Sequence, residues 1–120
     1  MLGGKIDPFL VLAERTSSGS YKELFRSEIV ANQLNPKWVN AAYVAYNFDS
    51  VQVIQIEIYD VKGGFKSNDA SKLKLGAQKL IGKVATTTAE LVSTQKWQKA
   101  VVNKRGKVVG SVQICTEELA

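Results

Sequence analysis

Short runs in which apolar and polar residues alternate dominate this chain, and the alternation most constrains its fold. In "VQVIQIEIYD" (51–60), Ile54, Ile56 and Ile58 share one face, and mostly polar residues occupy the other. Successive side chains of a β-strand point to opposite faces of its sheet, so a period of two is the repeat of a strand. The segment therefore predicts a strand with one buried face.

Five further runs have the same strand-like character. They are "DPFLVLAE" (7–14), "WVNAAYVAYNF" (38–48), "LIGKVATT" (80–87), "QKWQKAVV" (95–102) and "GSVQICTE" (110–117). Turn residues separate them, including "SSG" at 17–19 and "NKRGK" at 103–107. This spacing indicates an all-β antiparallel sandwich. The expected core or near-core residues are Phe9, Val11, Trp38, Val44, Ile56, Ile58, Val84 and Ile114.

Two segments carry helical signals. "YKELFRSEIVANQL" (21–34) is rich in helix-forming residues, and propensity alone makes helix at least as favourable as strand there. "TAELVST" (88–94) predicts a short helical turn with Thr88 as its N-cap.

Composition narrows the function classes. The 120 residues contain no histidine, so neither a Ser-His-Asp triad nor a histidine-ligated zinc site is available. Cys115 is the single cysteine, which excludes an intrachain disulfide and suggests a reducing compartment and a small buried side chain. No paired carboxylates or phosphate-cradling glycine pattern is evident. We therefore expect a protein that is not an enzyme.

Positive charge is concentrated in one segment. Residues 61–83 contain six lysines and one aspartate, a net charge of +5 that equals the formal net charge of the whole chain. Nucleic-acid binding is disfavoured because the arginines are scattered and Phe65 is the one aromatic residue within the basic segment. Solvation and membrane attachment remain as explanations for the lysines.

The order of several motifs resembles a known family. "KIDPFLVL", "FRSEIV", "LNPKW", "AYNFDSVQVIQIEIYDV" and "LKLGAQKLIGKV" follow one another as they do in the C2 domain, and most closely in the first C2 domain of copines, especially plant copines. The resemblance implies that residues 1–120 are a single C2-like domain, an antiparallel Greek-key sandwich with three tip loops. It also implies a strand from Tyr21 to about Val30, and a lysine-rich tip-loop insertion at about 61–79.

Compared with that family, the chain begins inside the first tip loop. The resemblance therefore implies an N-terminally truncated sandwich that lacks its first strand and leaves an open slot beside a neighbouring strand. Unpaired strand edges favour self-association or strand addition by another protein. A protein-interaction module acting through this slot is accordingly the alternative to membrane binding.

The resemblance also implies calcium ligands, two of which this chain keeps. Asp7 and Asp60 match family aspartates, whereas Met1, Lys62 and Lys79 stand where the family has further aspartates. Calcium takes about six to eight oxygen ligands, and nearby ammonium groups oppose it. We expect calcium binding to be weak or lost, with Lys62 or Lys79 pairing with the aspartates in its place. Two alternatives remain open: residual calcium binding through Asp7 and Asp60, or simple turn capping by these two residues. Asp69 lies within the insertion and is a further candidate ligand, although its spacing does not require that role.

The lysine-rich insertion lies where the family touches membranes. Its expected lipid-binding residues are Lys62, Lys66, Lys72, Lys74, Lys79 and Phe65. Lysines near an anionic leaflet contribute about 1 kcal/mol each. Phe65 and Leu73 either insert shallowly or pack the loop against its own sandwich. The resemblance thus implies a cytoplasmic protein peripheral to the plasma membrane that binds anionic phospholipid without recognising nucleic acid.

Overall fold

Six antiparallel strands and one short helix form the structure, a computed structural model that describes residues 6–47, 49–94 and 96–117. The strands are β1 (Pro8–Arg15), β2 (Tyr21–Arg26), β3 (Val53–Asp60), β4 (Lys79–Thr87), β5 (Lys96–Val102) and β6 (Val108–Cys115). A 3-10 turn covers Leu75–Ala77, and helix α1 covers Thr88–Ser93. The all-β prediction is confirmed, and the helix that propensity allowed over 21–34 does not form.

The strands follow the order β2-β1-β3-β4-β5-β6. β4 and β5 share one registered pair, Lys83 with Val102, whereas the other neighbours pair along most of their length. β5 and β6 can therefore leave the plane of the first four strands and pack over them. We call β2-β1-β3-β4 the first layer and the β5–β6 hairpin the second layer.

The main core lies between these two layers. Leu10, Ile54 and Ile56 of the first layer meet Trp97, Val101 and Val112 of the second in one buried cluster. We call this cluster the inter-layer core. Packing two apolar sheet faces together removes both from water, which is the main stabilising term for a sandwich.

The opposite face of the first layer is covered as well. Phe9 and Val11 point to that side and are buried under Ile29, Val61 and Ala70. Val61 and Ala70 belong to the lysine-rich insertion at residues 61–79, which we call the lysine-rich segment. Part of this segment therefore packs on the sandwich.

Most of the expected core is confirmed. Phe9, Val11 and Ile56 are buried. Four further residues are partly buried and pack against the inter-layer core: Trp38, Ile58, Val84 and Ile114. Val44 is wrong, because its side chain is 38% exposed. The prediction that Cys115 is a small buried side chain is also wrong, because Cys115 lies in β6 and is exposed.

The strand predicted at 38–48 is also wrong. Residues 38–47 have no regular secondary structure, and Phe48 lies outside the described residues. A strand needs a neighbour for its backbone hydrogen bonds, and no described strand pairs with this segment. An alternating sequence indicates which face of a strand would be buried, but it does not show that a neighbouring strand is present.

Two element ends differ from prediction by a few residues. β2 ends at Arg26, although Ser27 N and Val30 N still donate to Leu10 O and Pro8 O along β1. Helix α1 is capped by Thr87, whose hydroxyl accepts from Glu90 N at 3.1 Å. The predicted cap, Thr88, is the first helical residue and is buried.

Candidate functional site

The two retained aspartates meet because of the β1–β3 pairing. Pro8 at the start of β1 is registered with Asp60 at the end of β3, so Asp7 and Asp60 lie at the same end of the first layer. Asp7 N donates to Asp60 Oδ1 at 2.9 Å, and Val61 N donates to Asp7 O at 3.2 Å. The pair thus joins the two chain segments through one hydrogen bond to the Asp60 side chain and one between backbones.

The Asp60 carboxylate is buried and has a cationic partner. Its second oxygen, Oδ2, lies 3.0 Å from Lys62 Nζ, with the Asp60 side chain 7% exposed and that of Lys62 54% exposed. The predicted lysine–aspartate pair is therefore formed by Lys62. Lys79 is registered opposite Asp60 on β4, yet within the described part of the chain it forms no ion pair.

The other carboxylates are used locally. Asp7 Oδ1 accepts from Asn32 N at 2.9 Å, which holds the connection after β2 at its positive-φ residue. Asp69 Oδ1 accepts from Ser71 N at 2.9 Å, and this hydrogen bond lowers the pKa of the Asp69 carboxyl. Both arrangements are typical of carboxylates that stabilise turns.

The carboxylate oxygens of Asp7, Asp60 and Asp69, as they are arranged here, do not match the ligand set that calcium requires. Both oxygens of Asp60 and one of Asp7 already have partners. Among the described residues, no group of three or more acidic, histidine or cysteine side chains is placed to hold a metal. Met1, the further family position, lies outside the described residues. Calcium at this end would have to displace Lys62 from Asp60 and recruit most of its ligands elsewhere.

Arg26 holds the second half of the lysine-rich segment on the first layer. Its Nη1 donates to Ala70 O at 2.8 Å and to Leu73 O at 2.6 Å, and its guanidinium lies 5.9 Å from the centre of the Phe9 ring. Its charged hydrogen bond to Glu23 raises the pKa of Arg26. A planar guanidinium with several donors is well suited to bind two carbonyls and a carboxylate together.

Apolar packing reinforces this attachment. Ala70 is buried, and Leu73 and Leu75 pack partly buried on the cluster around Phe9. Leu73 therefore packs the segment against its own sandwich, which was one of its two expected roles. Phe65 does not pack in this way, since the residue is 37% exposed.

The first half of the segment is more exposed, since residues 62–69 are all exposed. Gly63 and Gly64 both have positive φ, at 84° and 78°, and form the turn that carries Phe65 and Lys66. Lys62 N donates to Gln78 Oε1 at 2.7 Å, which ties the base of this turn to the residues before β4. The segment thus combines an exposed turn, residues 62–69, with residues 70–78, which are held on the first layer and which we call the anchored base.

All five predicted lipid-binding lysines are exposed. Four of them, Lys66, Lys72, Lys74 and Lys79, make no side-chain hydrogen bond or ion pair within the described part of the chain. Their ammonium groups are therefore available to an anionic ligand, whereas that of Lys62 is engaged by Asp60. The one α-helix in the described ranges, α1, has six residues and is too short to span a bilayer.

Sequence reasoning missed the residues that hold the segment in place. Arg26 and Gln78 were not singled out, although both bond across more than a dozen residues of sequence. The available signal was the charged pair Glu23 and Arg26 at the end of a strand pattern. That pattern does not reveal which distant carbonyls the guanidinium would reach.

Comparison with known proteins decides the family. The C2 domain family model matches residues 1–107. This chain belongs to the C2 domain family.

The related proteins make it a copine-like C2 domain. The chain is 35% identical to Protein BONZAI 1 and 36% identical to Protein BONZAI 2, both from Arabidopsis thaliana, over 89 residues that form 74% of this chain. It is 28% identical to Copine-A from Dictyostelium discoideum over 96% of this chain. The matches span 15% of each BONZAI protein and 18% of Copine-A. C2 domains of this type generally bind calcium, and commonly phospholipids or proteins.

Proposed function

We propose that this C2 domain is a peripheral membrane-binding module that attaches to anionic phospholipid mainly through its lysine-rich segment, with little dependence on calcium. The observation that carries the proposal is the pairing of Lys62 with Asp60, beside four exposed lysines that make no side-chain hydrogen bond or ion pair with the described residues. Lys62 occupies the carboxylate where a calcium ion would have to bind. The other lysines supply a positive surface that needs no metal bridge.

The anchored base makes this surface effective. Arg26, Ala70 and Leu73 hold the second half of the segment against the first layer, so the backbone that carries Lys72 and Lys74 need not be ordered at the moment of binding. Lysine near an anionic leaflet contributes on the order of 1 kcal/mol per residue, and salt screens this attraction over about 8 Å at physiological ionic strength. Phe65 adds a shallow apolar contact. The proposed location is the cytoplasmic face of the plasma membrane, and the proposed role is non-catalytic.

Vesicle co-sedimentation tests the proposal. The chain should pellet with vesicles containing phosphatidylserine or a phosphoinositide, equally with calcium or chelator, and should be released as salt rises. Replacing Lys62, Lys66, Lys72 and Lys74 by glutamate should abolish pelleting. The matched control makes the same charge change at exposed lysines outside the segment, Lys37, Lys96, Lys104 and Lys107, and should retain most of the binding.

The opposite result would identify calcium-dependent binding. Replacing Asp7 and Asp60 by asparagine should leave pelleting nearly intact in a variant that circular dichroism shows to be folded. Pelleting that requires micromolar calcium and disappears in this double variant would reject the proposal.

A further inference from the structure

A shallow pocket of about 350 Å³ lies at the end of β1 and β3 opposite Asp7 and Asp60. Its described lining residues are Arg15, Thr16, Ser17, Val51 and Val53. β1, which separates the two ends, has eight residues and spans about 25 Å. The pocket is therefore a different place from the candidate site at Asp60 and Lys62.

Strand register places the pocket on the outer face of the first layer. Glu14 of β1 is registered with Ile54 of β3. The next residue of each strand, Arg15 and Val53, are therefore neighbours. Ile54 points into the inter-layer core, and successive side chains of a strand point to opposite faces. Arg15 and Val53 thus share the face that also carries Phe9, at its other end.

Two polar groups of the pocket are unused. Neither the Arg15 guanidinium nor the Ser17 hydroxyl makes a hydrogen bond or ion pair with any residue that the structure describes. The described lining residues include no acid. A guanidinium keeps its charge at neutral pH and offers five N–H donors in a planar fork. The pocket is therefore positively charged and has donors to spare.

The hairpin side of the pocket is fixed by its own turn. Thr16 N donates to Ser20 O at 2.7 Å, and Gly19 N donates to Thr16 O at 3.0 Å. Thr16 Oγ1 also lies 2.9 Å from Ser18 Oγ and 2.8 Å from Ser20 Oγ. These bonds close the connection between β1 and β2 and fix the backbone that carries Ser17.

The β3 side is fixed by Gln52, which stands between the two valines. Gln52 Oε1 accepts from Asn47 N at 2.7 Å and from Thr88 Oγ1 at 3.1 Å, and Gln52 O accepts from Thr88 N at 3.0 Å. The backbone of Val51 and Val53 is therefore held from the other face. Binding to walls that are already ordered costs less conformational entropy.

Charge and shape together select the ligand. A guanidinium pairs with both oxygens of a carboxylate, and the adjacent valines favour an apolar group beside that carboxylate. The last residue of a protein carries its carboxylate and its side chain on one Cα, so both reach the same pocket. In an extended chain, an acidic side chain and the apolar side chain next to it point to opposite sides. Val51 is 81% exposed, so the pocket is open on one side and suits a chain end better than an enclosed small molecule.

We propose that this pocket binds the C-terminal carboxylate of a partner protein whose last residue is apolar. The Arg15 guanidinium pairs with the carboxylate, and the Ser17 hydroxyl donates to it. The terminal side chain lies on Val51 and Val53. This binding is independent of the proposed membrane attachment, because none of these residues belongs to the lysine-rich segment.

Nuclear magnetic resonance titration of the ¹⁵N-labelled 120-residue chain tests the proposal. The probe is an N-acetylated pentapeptide of alternating glycine and serine that ends in leucine with a free carboxylate. It should shift the backbone amide signals of Ser17 and Val53 and the Nε signal of Arg15, and these shifts should saturate. The same peptide with a C-terminal amide should bind at least about tenfold more weakly. An amidated peptide with glutamate before the leucine should be weakened equally, which separates a chain end from an acidic side chain.

A pair of arginine variants tests the assignment. Arg15→Gln removes the charged fork and should weaken binding of the free-carboxylate peptide at least about tenfold. Since the Arg15 side chain has no partner among the described residues, signals outside the pocket should stay in place and show that the variant is folded. Arg105→Gln, the same change at an exposed arginine in the β5–β6 turn, should bind like the parent chain.

Four results would overturn the proposal. Equal binding of the acid and amide peptides would show that the carboxylate is not recognised. Equal binding of the glutamate peptide would show that any carboxylate suffices. Shifts confined to residues 61–79, or unchanged binding in Arg15→Gln, would show that charge elsewhere attracts the peptide. Absence of saturable shifts at millimolar peptide would show that the pocket does not bind it.

Discussion

Lys62 Nζ lies 3.0 Å from Asp60 Oδ2, where β3 passes into the lysine-rich segment. The carboxylate is buried at the end of its strand, and its other oxygen accepts from Asp7 N. The protein's own ammonium group therefore neutralises the carboxylate best placed to bind a cation at this end of the first layer. This pairing separates the proposed binding mode from one bridged by calcium.

Calcium binding should strengthen when the lysine of this pair becomes an acid. Lys62→Asp frees Asp60 Oδ2 and places a third carboxylate next to Asp7 and Asp60. Since calcium prefers several carboxylate oxygens, its affinity measured by isothermal titration should rise at least about tenfold. Lys74→Asp, the same change elsewhere in the segment, should have little effect, and identical titrations of the two variants would contradict the assignment.

Loss of the Arg26 guanidinium should release the anchored base. Arg26→Ala removes the donors to Ala70 O and Leu73 O and the ion pair to Glu23. Hydrogen bonds from charged groups contribute about 1.5–3 kcal/mol, so the free energy of unfolding in urea should fall by about that amount. Trypsin should also cleave faster after Lys72 and Lys74. Lys22→Ala, an exposed change in the same strand, serves as control, and unchanged cleavage in Arg26→Ala would exclude the anchoring role.

A methyl group at Gly82 should be destabilising because β4 and β5 cross closely there. A Cβ at Gly82 would lie 2.6 Å from Val101 Cγ1 and 3.0 Å from Val102 O. Overpacking of this kind costs about 1–3 kcal/mol, and Gly82→Ala should lower the free energy of unfolding by that amount. Gly110→Ala in β6 is the matched control, since a Cβ there has no atom within 4 Å. Equal stability of the two variants would show that the crossing is looser than described.

The stability contribution of Glu90 should depend on pH. Trp97 Nε1 and Thr86 Oγ1 donate to its Oε1 at 2.6 and 2.9 Å, and these bonds lower the pKa of the Glu90 carboxyl below its ordinary value of 4.5, with Lys99 adding to the effect. A lowered folded-state pKa stabilises the protein above the unfolded pKa, and this stabilisation is lost as pH falls through the folded pKa.

Glu90→Gln should therefore unfold at lower urea than the parent protein at pH 7, and the difference should shrink below about pH 4.5. Glu117→Gln, the same change at an exposed carboxylate, should have little effect at either pH. A difference that persists or grows in acid would mean that the Glu90 charge is not what stabilises this contact.

Local patterns in the sequence determined the strands that have neighbours. The alternation in 51–60 predicted β3 with Ile54 and Ile56 inward, and both are buried. The "NKRGK" turn needed no distant information, because Asn103 Oδ1 accepts from the N–H groups of Arg105 and Lys107 within it. Interactions of this kind involve residues close together in the chain, so the sequence alone is enough to predict them. The motif order likewise led to the C2 domain family before any geometry was known.

Tertiary structure decided what depends on residues far apart in the chain. Residues 38–47 have the alternation of a strand, yet they are a coil because strand pairing is a property of two segments. The sequence offered both Lys62 and Lys79 as partners for the aspartates, and backbone geometry placed Lys62 at Asp60. The attachment by Arg26 depends on carbonyls 44 and 47 residues away. A residue's type and spacing state what it can bond, whereas the fold alone brings a particular partner within hydrogen-bonding distance.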